Sequence, residues 1–313
     1  MRHVAKQFLP PFAVSAVRRF LQSRDKQSPE WEYVPEGWSA KNDHIKGWNE
    51  QSVVETQRAR WPAFVRSLEG TNPLGIAHEA AVPTREGWEA HNTLMCYAYV
   101  LTSAARKQDS LRILDWGGGA GHYYLISRAL LPEVPLEYHC YDTPLLCELG
   151  RELLPIADFH EKADDVFKRK YDLVLASSSI QYFEDWAEIL QKLAAVTSRY
   201  LYITRVPVVR RVPSFVVVQR PYQYGYRTEY LGWFLNRQEF LERAEDIGLD
   251  LVREFLIQER PIVEGAPEQS ESRGFLFRPN EWASKCPHAA IVGGVPCDAE
   301  GPSTGNVQAS SLR

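Results

Sequence analysis

The sequence predicts an α/β fold of the doubly wound type, with a mostly parallel seven-stranded sheet that carries helices on both faces. Two observations lead to this prediction. After about residue 110, short apolar runs alternate with segments of helical periodicity, an alternation typical of a parallel sheet with crossover helices. The first apolar run is followed directly by four glycines within residues 117–121. Glycines after a strand allow the backbone to approach a ligand closely.

The predicted strands are the apolar runs Ile113–Trp116, Leu136–Tyr141, Ile156–His160, Leu173–Ala176, Tyr200–Thr204, Leu249–Ile257 and Gly274–Arg278. Helical periodicity predicts the helices His122–Leu131, Pro144–Leu153, Trp186–Val196 and Arg237–Ile247. Capping residues support several helix ends. Thr143 precedes a proline that suits the first helical position, and Asn236 and Gly248 suit the start and the end of the last helix.

The segment before the glycines has a different character. Residues 1–84 carry many Trp, Pro and charged residues without alternating runs, so we expect an extension of short helices and loops. A further helix, from Glu86 to about Lys107, leads into the glycine cluster. Residues 1–24 interleave basic and apolar side chains. They predict a helix that packs on the main domain or one that makes weak contact with a membrane surface.

The predicted domain spans residues 85–279. One segment within it and one segment after it depart from the regular alternation of strands and helices. Residues 207–235 form an insertion rich in Tyr and Arg, which indicates a lid or binding loop or, alternatively, a packed hairpin. Residues 280–313 consist largely of Gly, Pro, Ser and Ala. Because such a segment has few large apolar groups to bury, we expect a disordered tail.

The composition limits the kinds of ligand and partner that we expect the protein to bind. With 36 basic and 40 acidic residues and a net charge of −4, the chain lacks the positive field that attracts nucleic acid. Its five cysteines have no paired spacing typical of a metal site, and their odd number favours a reducing compartment. No run reaches the ~20 apolar residues of a membrane span. We therefore expect a cytoplasmic protein without nucleic acid or metal, and the oligomeric state is left open.

The spacing of the glycines distinguishes two classes of cofactor. The dinucleotide fingerprint Gly-x-Gly-x-x-Gly requires a third glycine where this sequence has His122 or, in the other frame, Tyr123. The spacing that fits is Asp-x-Gly-x-Gly-x-Gly, filled by Asp115, Gly117, Gly119 and Gly121. This pattern resembles the first motif of the class I methyltransferases, which use S-adenosylmethionine as cofactor.

Later segments resemble further motifs of that family, in the same order. Asp142 ends the second strand. In many nucleotide-binding folds a carboxylate at this place can accept hydrogen bonds from both ribose hydroxyls. Asp164 or Asp165 resembles the acid that receives the adenine amino group. The segment YDLVLASSSIQYFEDW, which begins at Tyr171, resembles the fourth motif, beside the reactive methyl. The resemblance therefore implies S-adenosylmethionine as the cofactor.

A narrower resemblance covers roughly residues 85–280. It is to a bacterial group of methyltransferases often associated with surface-polysaccharide gene clusters, and it is carried by the segments HNTLMCYAYVL, LDWGGGAGHYYL, YHCYDTPLLCELGRELLP, YDLVLASSSIQY and YITRVPVV. We interpret the protein as a methyltransferase for a small-molecule or glycan-type acceptor, modified at oxygen or nitrogen. The alternatives are an inactive cofactor-binding partner protein and a nicotinamide-dependent nucleotide-sugar enzyme.

Candidate site residues follow from these motifs. The predicted cofactor-binding residues are Asp115, Gly117, Gly118, Gly119, Gly121, Asp142, Asp164, Asp165, Ser178 and Gln181. Aromatic rings with hydroxyl tips suit a sugar, and arginine suits phosphate or carboxylate, so the predicted acceptor residues are Arg205, Tyr222, Tyr224 and Tyr226. The candidates for a general base are His122, Tyr182 and His91, of which the two histidines could instead be packing residues.

Overall fold

The structure is a computed structural model that describes residues 28–40, 42, 43, 45–71 and 87–280. Its centre is a doubly wound, mostly parallel sheet, which confirms the predicted fold class. Two sequence predictions lie outside the described residues: the basic amphipathic segment within residues 1–24 and the tail after residue 280.

The described strands are β1 Trp31–Tyr33, β2 Leu111–Trp116, β3 Leu136–Tyr141, β4 Asp158–His160, β5 Tyr171–Ser177, β6 Thr197–Val209, β7 Phe215–Gln219, β8 Tyr230–Asn236, β9 Leu249–Leu256, β10 Val263–Glu264 and β11 Glu271–Pro279. The described helices are α1 Gln51–Leu68, α2 Trp88–Ala105, α3 His122–Leu130, α4 Pro144–Leu153, α5 Ala163–Val166, α6 Trp186–Val196 and α7 Arg237–Asp246. Short 3₁₀ turns lie at Gly37–Ala40, Ile180–Tyr182 and Pro221–Tyr224.

The central sheet has the strand order β4-β3-β2-β5-β6-β11-β9. Neighbouring strands from β4 to β6 are parallel, whereas β11 runs antiparallel to both β6 and β9. Parallel strands of this kind end at one common edge of the sheet. The loops after β2, β3 and β5 therefore meet there, which is where α/β sheets bind ligands.

Helices cover both faces of this sheet. The adjacent residues Ile113 and Leu114 of β2 illustrate the arrangement, because neighbouring strand residues point to opposite faces. Ile113 packs in a core with side chains of α1, α2, α3 and α4, and Leu114 packs in a second core with those of α6 and α7. None of the helices in the described ranges is both long enough and apolar enough to cross a membrane.

The N-terminal extension is more regular than the sequence predicts. In place of short helices and loops, residues 51–68 form one helix of 18 residues, α1, in spite of Pro62. Its buried side chains recur with helical spacing at Val53, Gln57, Trp61 and Phe64. The charged residues between them conceal this period in the sequence. Strand β1 of the same extension pairs with β7 and β10.

The insertion at residues 207–235 contains a packed hairpin, the second of the two arrangements that the sequence allows. Strands β7 and β8 pair antiparallel. Strand β6 continues to Val209, where it pairs with the end of β8. All five residues of β7 are buried. The hairpin therefore extends the sheet beyond the central seven strands, and the segment between β7 and β8 contributes Tyr224 and Tyr226 to the pockets described below.

Candidate functional site

The glycine loop, residues 117–121, joins β2 to α3 at the carboxyl edge of the sheet. The three glycines of the predicted spacing all have positive φ. At Gly119 the angle is +60°, a region that residues with a side chain rarely adopt. Gly118 is required for a different reason, since a Cβ there would lie 2.3 Å from Asp115 Oδ2. The loop is thus bare backbone on its outer side and closely packed beneath.

Asp115 lies under this loop and is not among the residues that line the two cavities described below. It is fully buried, and its Oδ2 accepts a hydrogen bond from the hydroxyl of Tyr138. Burial raises the pKa of Asp115 to about 7, although the Tyr138 hydrogen bond acts in the opposite direction. Its place beneath Gly118 indicates that it supports the loop from below.

We expect the contribution of Asp115 to the free energy of unfolding to decrease as the pH rises from about 4 to about 7. The carboxyl ionises near pH 4 in the unfolded chain but only near pH 7 in the folded protein. Between these values the folded state binds more protons, so a rise in pH favours unfolding. Asp115→Asn keeps an oxygen acceptor for Tyr138 and should remove this contribution from the pH dependence. Melting temperatures of both proteins between pH 4.5 and 7.5 test this, and equal pH dependence would contradict it.

Asp142, directly after β3, holds the loop from the other side. Its Oδ2 accepts a hydrogen bond from the Gly119 N–H at 2.7 Å, and its Oδ1 accepts one from the Thr143 N–H at 2.6 Å. Burial raises the pKa of this carboxyl, and the two backbone hydrogen bonds oppose the shift. A carboxylate oxygen can accept more than one hydrogen bond. Asp142 can therefore hold the loop and still accept hydrogen bonds from hydroxyl groups of a ligand.

Above the loop lies a cavity of about 300 Å³, which we name the glycine-loop cavity. The sequence-predicted residues that line it are Gly117, Gly118, Gly119, His122, Asp142, Ser178, Tyr182, Arg205 and Tyr226. The N-terminal extension adds Gly47, Trp48 and Gln57. The loop, the ends of three strands, the hairpin and the extension therefore build one site.

A second space of about 500 Å³, the adjoining pocket, borders the first. Five side chains line both spaces: Trp48, Ser178, Tyr182, Arg205 and Tyr226. The remaining wall is a mixture of aromatic, amide and charged side chains that includes Trp31, Tyr224, Gln181, Glu30, Glu89, Glu259 and Arg260. This mixture suits a polar ligand with a ring.

Two residues at the junction of the spaces have unusual backbone conformations. Ser178 and Arg205 have φ of +50° and +55°, and such conformations are concentrated at functional sites. The Arg205 side chain is only 12% exposed, and its Nε donates a hydrogen bond to Glu259 Oε1 at 2.8 Å. Ser178 Oγ accepts a hydrogen bond from Gln181 Nε2 at 3.0 Å. The junction therefore combines a half-buried ion pair with a hydroxyl and an amide.

The three candidate bases lie in different places. His122 begins α3 and lines the glycine-loop cavity, where its ring packs edge-on against two aromatic rings of α1. Tyr182 lines both spaces, and its hydroxyl donates a hydrogen bond to Gln219 Oε1 at 2.8 Å. His91, on α2, is not among the residues that line either space.

Other predicted residues lie further away. Gly121 is the N-cap residue of α3 and is not among the residues that line the cavity, and Asp164 is exposed on α5. Asp165 pairs with Lys168 at 2.7 Å. Tyr222 is 49% exposed and contacts neither space. A role for Asp164 or Asp165 toward adenine stays a prediction.

The polar groups of the glycine-loop cavity fit a nucleoside joined to an amino acid. Asp142 offers a carboxylate for vicinal hydroxyls, and the ring of Tyr141 offers an aromatic face. The N-terminus of α3, a helix of nine residues, favours a ligand carboxylate because the positive end of the helix dipole lies there. Gln57 Oε1 is buried and has no hydrogen-bond partner among the described residues. This set matches the chemistry of S-adenosylmethionine.

Solved structures of several methyltransferases resemble the chain at low identity. One is an S-adenosylmethionine-dependent methyltransferase from Clostridium acetobutylicum ATCC 824, with 9% identity, coverage of 60% of this chain and 92% of that one, and a TM-score of 0.41. Another, from Methanosarcina mazei, has 13% identity, coverage of 55% and 93%, and a TM-score of 0.42. The 1,6-didemethyltoxoflavin-N1-methyltransferase of Burkholderia thailandensis has 13% identity, coverage of 59% and 77%, and a TM-score of 0.40.

A search of curated proteins gives no match, whereas the comparison with protein families does. The family described as a methyltransferase domain matches residues 88–254, just over half of the chain. This match sets aside the nicotinamide-dependent alternative and favours an enzyme over an inactive partner protein. The chain therefore belongs to the methyltransferase-domain family and is an enzyme that uses S-adenosylmethionine as its cofactor.

Proposed function

We propose that the enzyme methylates an oxygen or nitrogen atom of a small polar molecule or glycan unit that binds in the adjoining pocket. The observation that carries this proposal is the shared wall of five side chains between that pocket and the glycine-loop cavity. Methyl transfer requires the acceptor atom to lie in line with the methyl group, at roughly 3–3.5 Å before reaction. A pocket that opens onto the cofactor cavity can meet this requirement.

The lining of the adjoining pocket supports a ring with several polar groups. Trp31 and Tyr224 offer aromatic surface, and Glu30 and Glu89 offer carboxylate oxygens that can accept hydrogen bonds from hydroxyl or amino groups. A glycan unit presents such apolar ring faces and hydroxyls together. The resemblance to a bacterial group associated with surface-polysaccharide gene clusters favours the same class of acceptor.

On the cofactor side, we propose that Asp142 binds the ribose and that the methionine end lies over the glycine loop, toward α3. The positive φ of Gly119 and the exposure of its outer face to the cavity support this placement. Ser178 and Gln181 follow β5 and would border the reactive methyl group. Both line the adjoining pocket.

When bound, the cofactor supplies a methyl group that its sulfonium charge has already activated. The residues of this chain then have to position the acceptor, exclude water and accept a proton where the acceptor is neutral. Trp48 stacks on Tyr230 at 4.2 Å and packs edge-on against Tyr182, so aromatic surface limits water at the junction. We propose that the Arg205–Glu259 pair positions the acceptor and that Tyr182 is the candidate base best placed to contact it.

Tyr224→Ala should lower kcat/KM for the acceptor about tenfold or more, because Tyr224 lines only the adjoining pocket. Its cofactor dissociation constant should stay within about twofold. Tyr226, by contrast, lines both spaces and is 1% exposed, so its replacement would disturb both ligands. Tyr222→Ala is the matched control because Tyr222 is on the same turn but lines neither space.

The measurement first requires the acceptor, which a screen of sugars, nucleotide-sugars and lipid-linked glycans with radiolabelled cofactor can identify. Steady-state kinetics and calorimetry then compare the two variants with the wild-type enzyme. Normal turnover by Tyr224→Ala would exclude the adjoining pocket as the acceptor site.

A further inference from the structure

Gln57 is a buried polar side chain that none of the methyltransferase motifs includes. It lies on α1, before the matched residues 88–254. The residue is 4% exposed, lines the glycine-loop cavity, and has an Oε1 atom without a hydrogen-bond partner among the described residues. Buried amide oxygens are nearly always hydrogen-bonded in native proteins. Such an atom in the wall of a ligand cavity points to a donor on the ligand.

The position of the amide group indicates which part of the ligand it meets. A Cβ built on Gly119 would lie 3.4 Å from Gln57 Oε1, so the amide lies over the outer face of the loop. The Gly119 N–H is directed to Asp142 instead. On the same helix, Trp61 packs against His122, the first residue of α3. Gln57 and the N-terminus of α3 therefore share one end of the cavity.

We propose that Gln57 binds the amino-acid end of the cofactor, with Oε1 accepting a hydrogen bond from its ammonium group. The inference rests on the cofactor placement proposed above. Two chemically different groups meet at this end: the helix N-terminus favours a carboxylate, and an amide oxygen can bind only a donor. An α-amino acid carries both partners on one carbon atom.

Contacts at several points hold α1 in the place that this role requires. Arg58, next to Gln57, forms an ion pair with Glu152 of α4. On the opposite side, an Arg60 guanidinium N–H donates a hydrogen bond to the backbone oxygen of Tyr224 at 2.6 Å. The helix thus bridges the central domain and the hairpin, and its amide is held ready for the ligand.

Calorimetric titrations with two ligands test the assignment. S-adenosylhomocysteine has the amino-acid end, whereas 5′-methylthioadenosine has the adenosine and the thioether but lacks that end. Gln57→Leu should weaken S-adenosylhomocysteine binding about tenfold or more and leave 5′-methylthioadenosine binding within about twofold. Gln51→Leu, at an exposed position at the start of α1, should leave both affinities unchanged. Gln57→Met serves as a second variant if the leucine variant does not fold.

The other possible results of these titrations would each contradict a different part of the assignment. Equal losses for both ligands would place Gln57 at the adenosine portion or restrict it to supporting the loop, and unchanged affinity for both would remove it from the site. In either case the proposed role is wrong. If the proposed placement of the cofactor were itself wrong, Asp142→Ala would retain full affinity for both ligands, and this result distinguishes the two failures.

Discussion

Gly119→Val is expected to abolish cofactor binding, with a loss of about 100-fold or more in affinity for S-adenosylhomocysteine, which corresponds to roughly 2.7 kcal/mol. Gly119 has a φ of +60°, where a β-branched residue is strongly disfavoured. The loop would have to change its conformation, and the valine methyl groups would enter the space between the loop and Gln57, whose Oε1 lies 3.4 Å from an ideal Cβ.

A matched control separates backbone strain from the loss of the site. Gly248, at the end of α7, also has a positive φ of +83°, and nothing lies within 4 Å of an ideal Cβ there. Gly248→Val should lower the melting temperature while the cofactor affinity stays within about twofold. Calorimetry and circular dichroism of both variants provide the comparison. A folded Gly119→Val protein with wild-type affinity would show that the cofactor does not lie on this loop.

Asp142→Ala is expected to weaken cofactor binding by about 1.5–3 kcal/mol, the range for hydrogen bonds to charged groups, or roughly 10- to 150-fold. Two causes contribute. The variant lacks the carboxylate proposed to bind the ribose, and it leaves the Gly119 and Thr143 N–H groups without their acceptor.

A 2′-deoxy analogue of S-adenosylhomocysteine separates these causes. In the wild-type enzyme the missing hydroxyl should reduce affinity, because one hydrogen bond to Asp142 is lost. In Asp142→Ala the analogue and the parent ligand should bind equally, since the partner is already absent. The same penalty in both proteins would mean that the ribose contact lies elsewhere and that Asp142 acts only on the loop.

The sequence predicts the central fold and the loop side of the site because both depend on local patterns. Glycine spacing corresponds directly to the backbone angles of residues 117–121, and a strand-ending carboxylate such as Asp142 must reach the same edge as the loop after β2. The strand-helix alternation likewise requires no knowledge of distant contacts. These features could be predicted from short segments alone.

The remainder of the site depends on contacts between distant segments. Trp48 and Gln57 reach the cavity because α1 packs across α3 and α4, and nothing in their immediate sequence signals a ligand. The hairpin offered a signal, the β-branched run of β7, but its pairing with β1 joins residues far apart in the chain. Arg205 is a candidate from the sequence, but its ion-pair partner Glu259 comes from the loop after β9 and is not predicted.

The most direct test of the central claim, that S-adenosylmethionine binds in the glycine-loop cavity, is the melting temperature with S-adenosylhomocysteine and, separately, with NAD. A ligand held only by the folded state at about 100 times its dissociation constant stabilises the protein by roughly 2.7 kcal/mol. We expect a clear rise with S-adenosylhomocysteine that Gly119→Val removes, and no rise with NAD. Stabilisation of the wild-type protein by NAD alone would contradict the assignment.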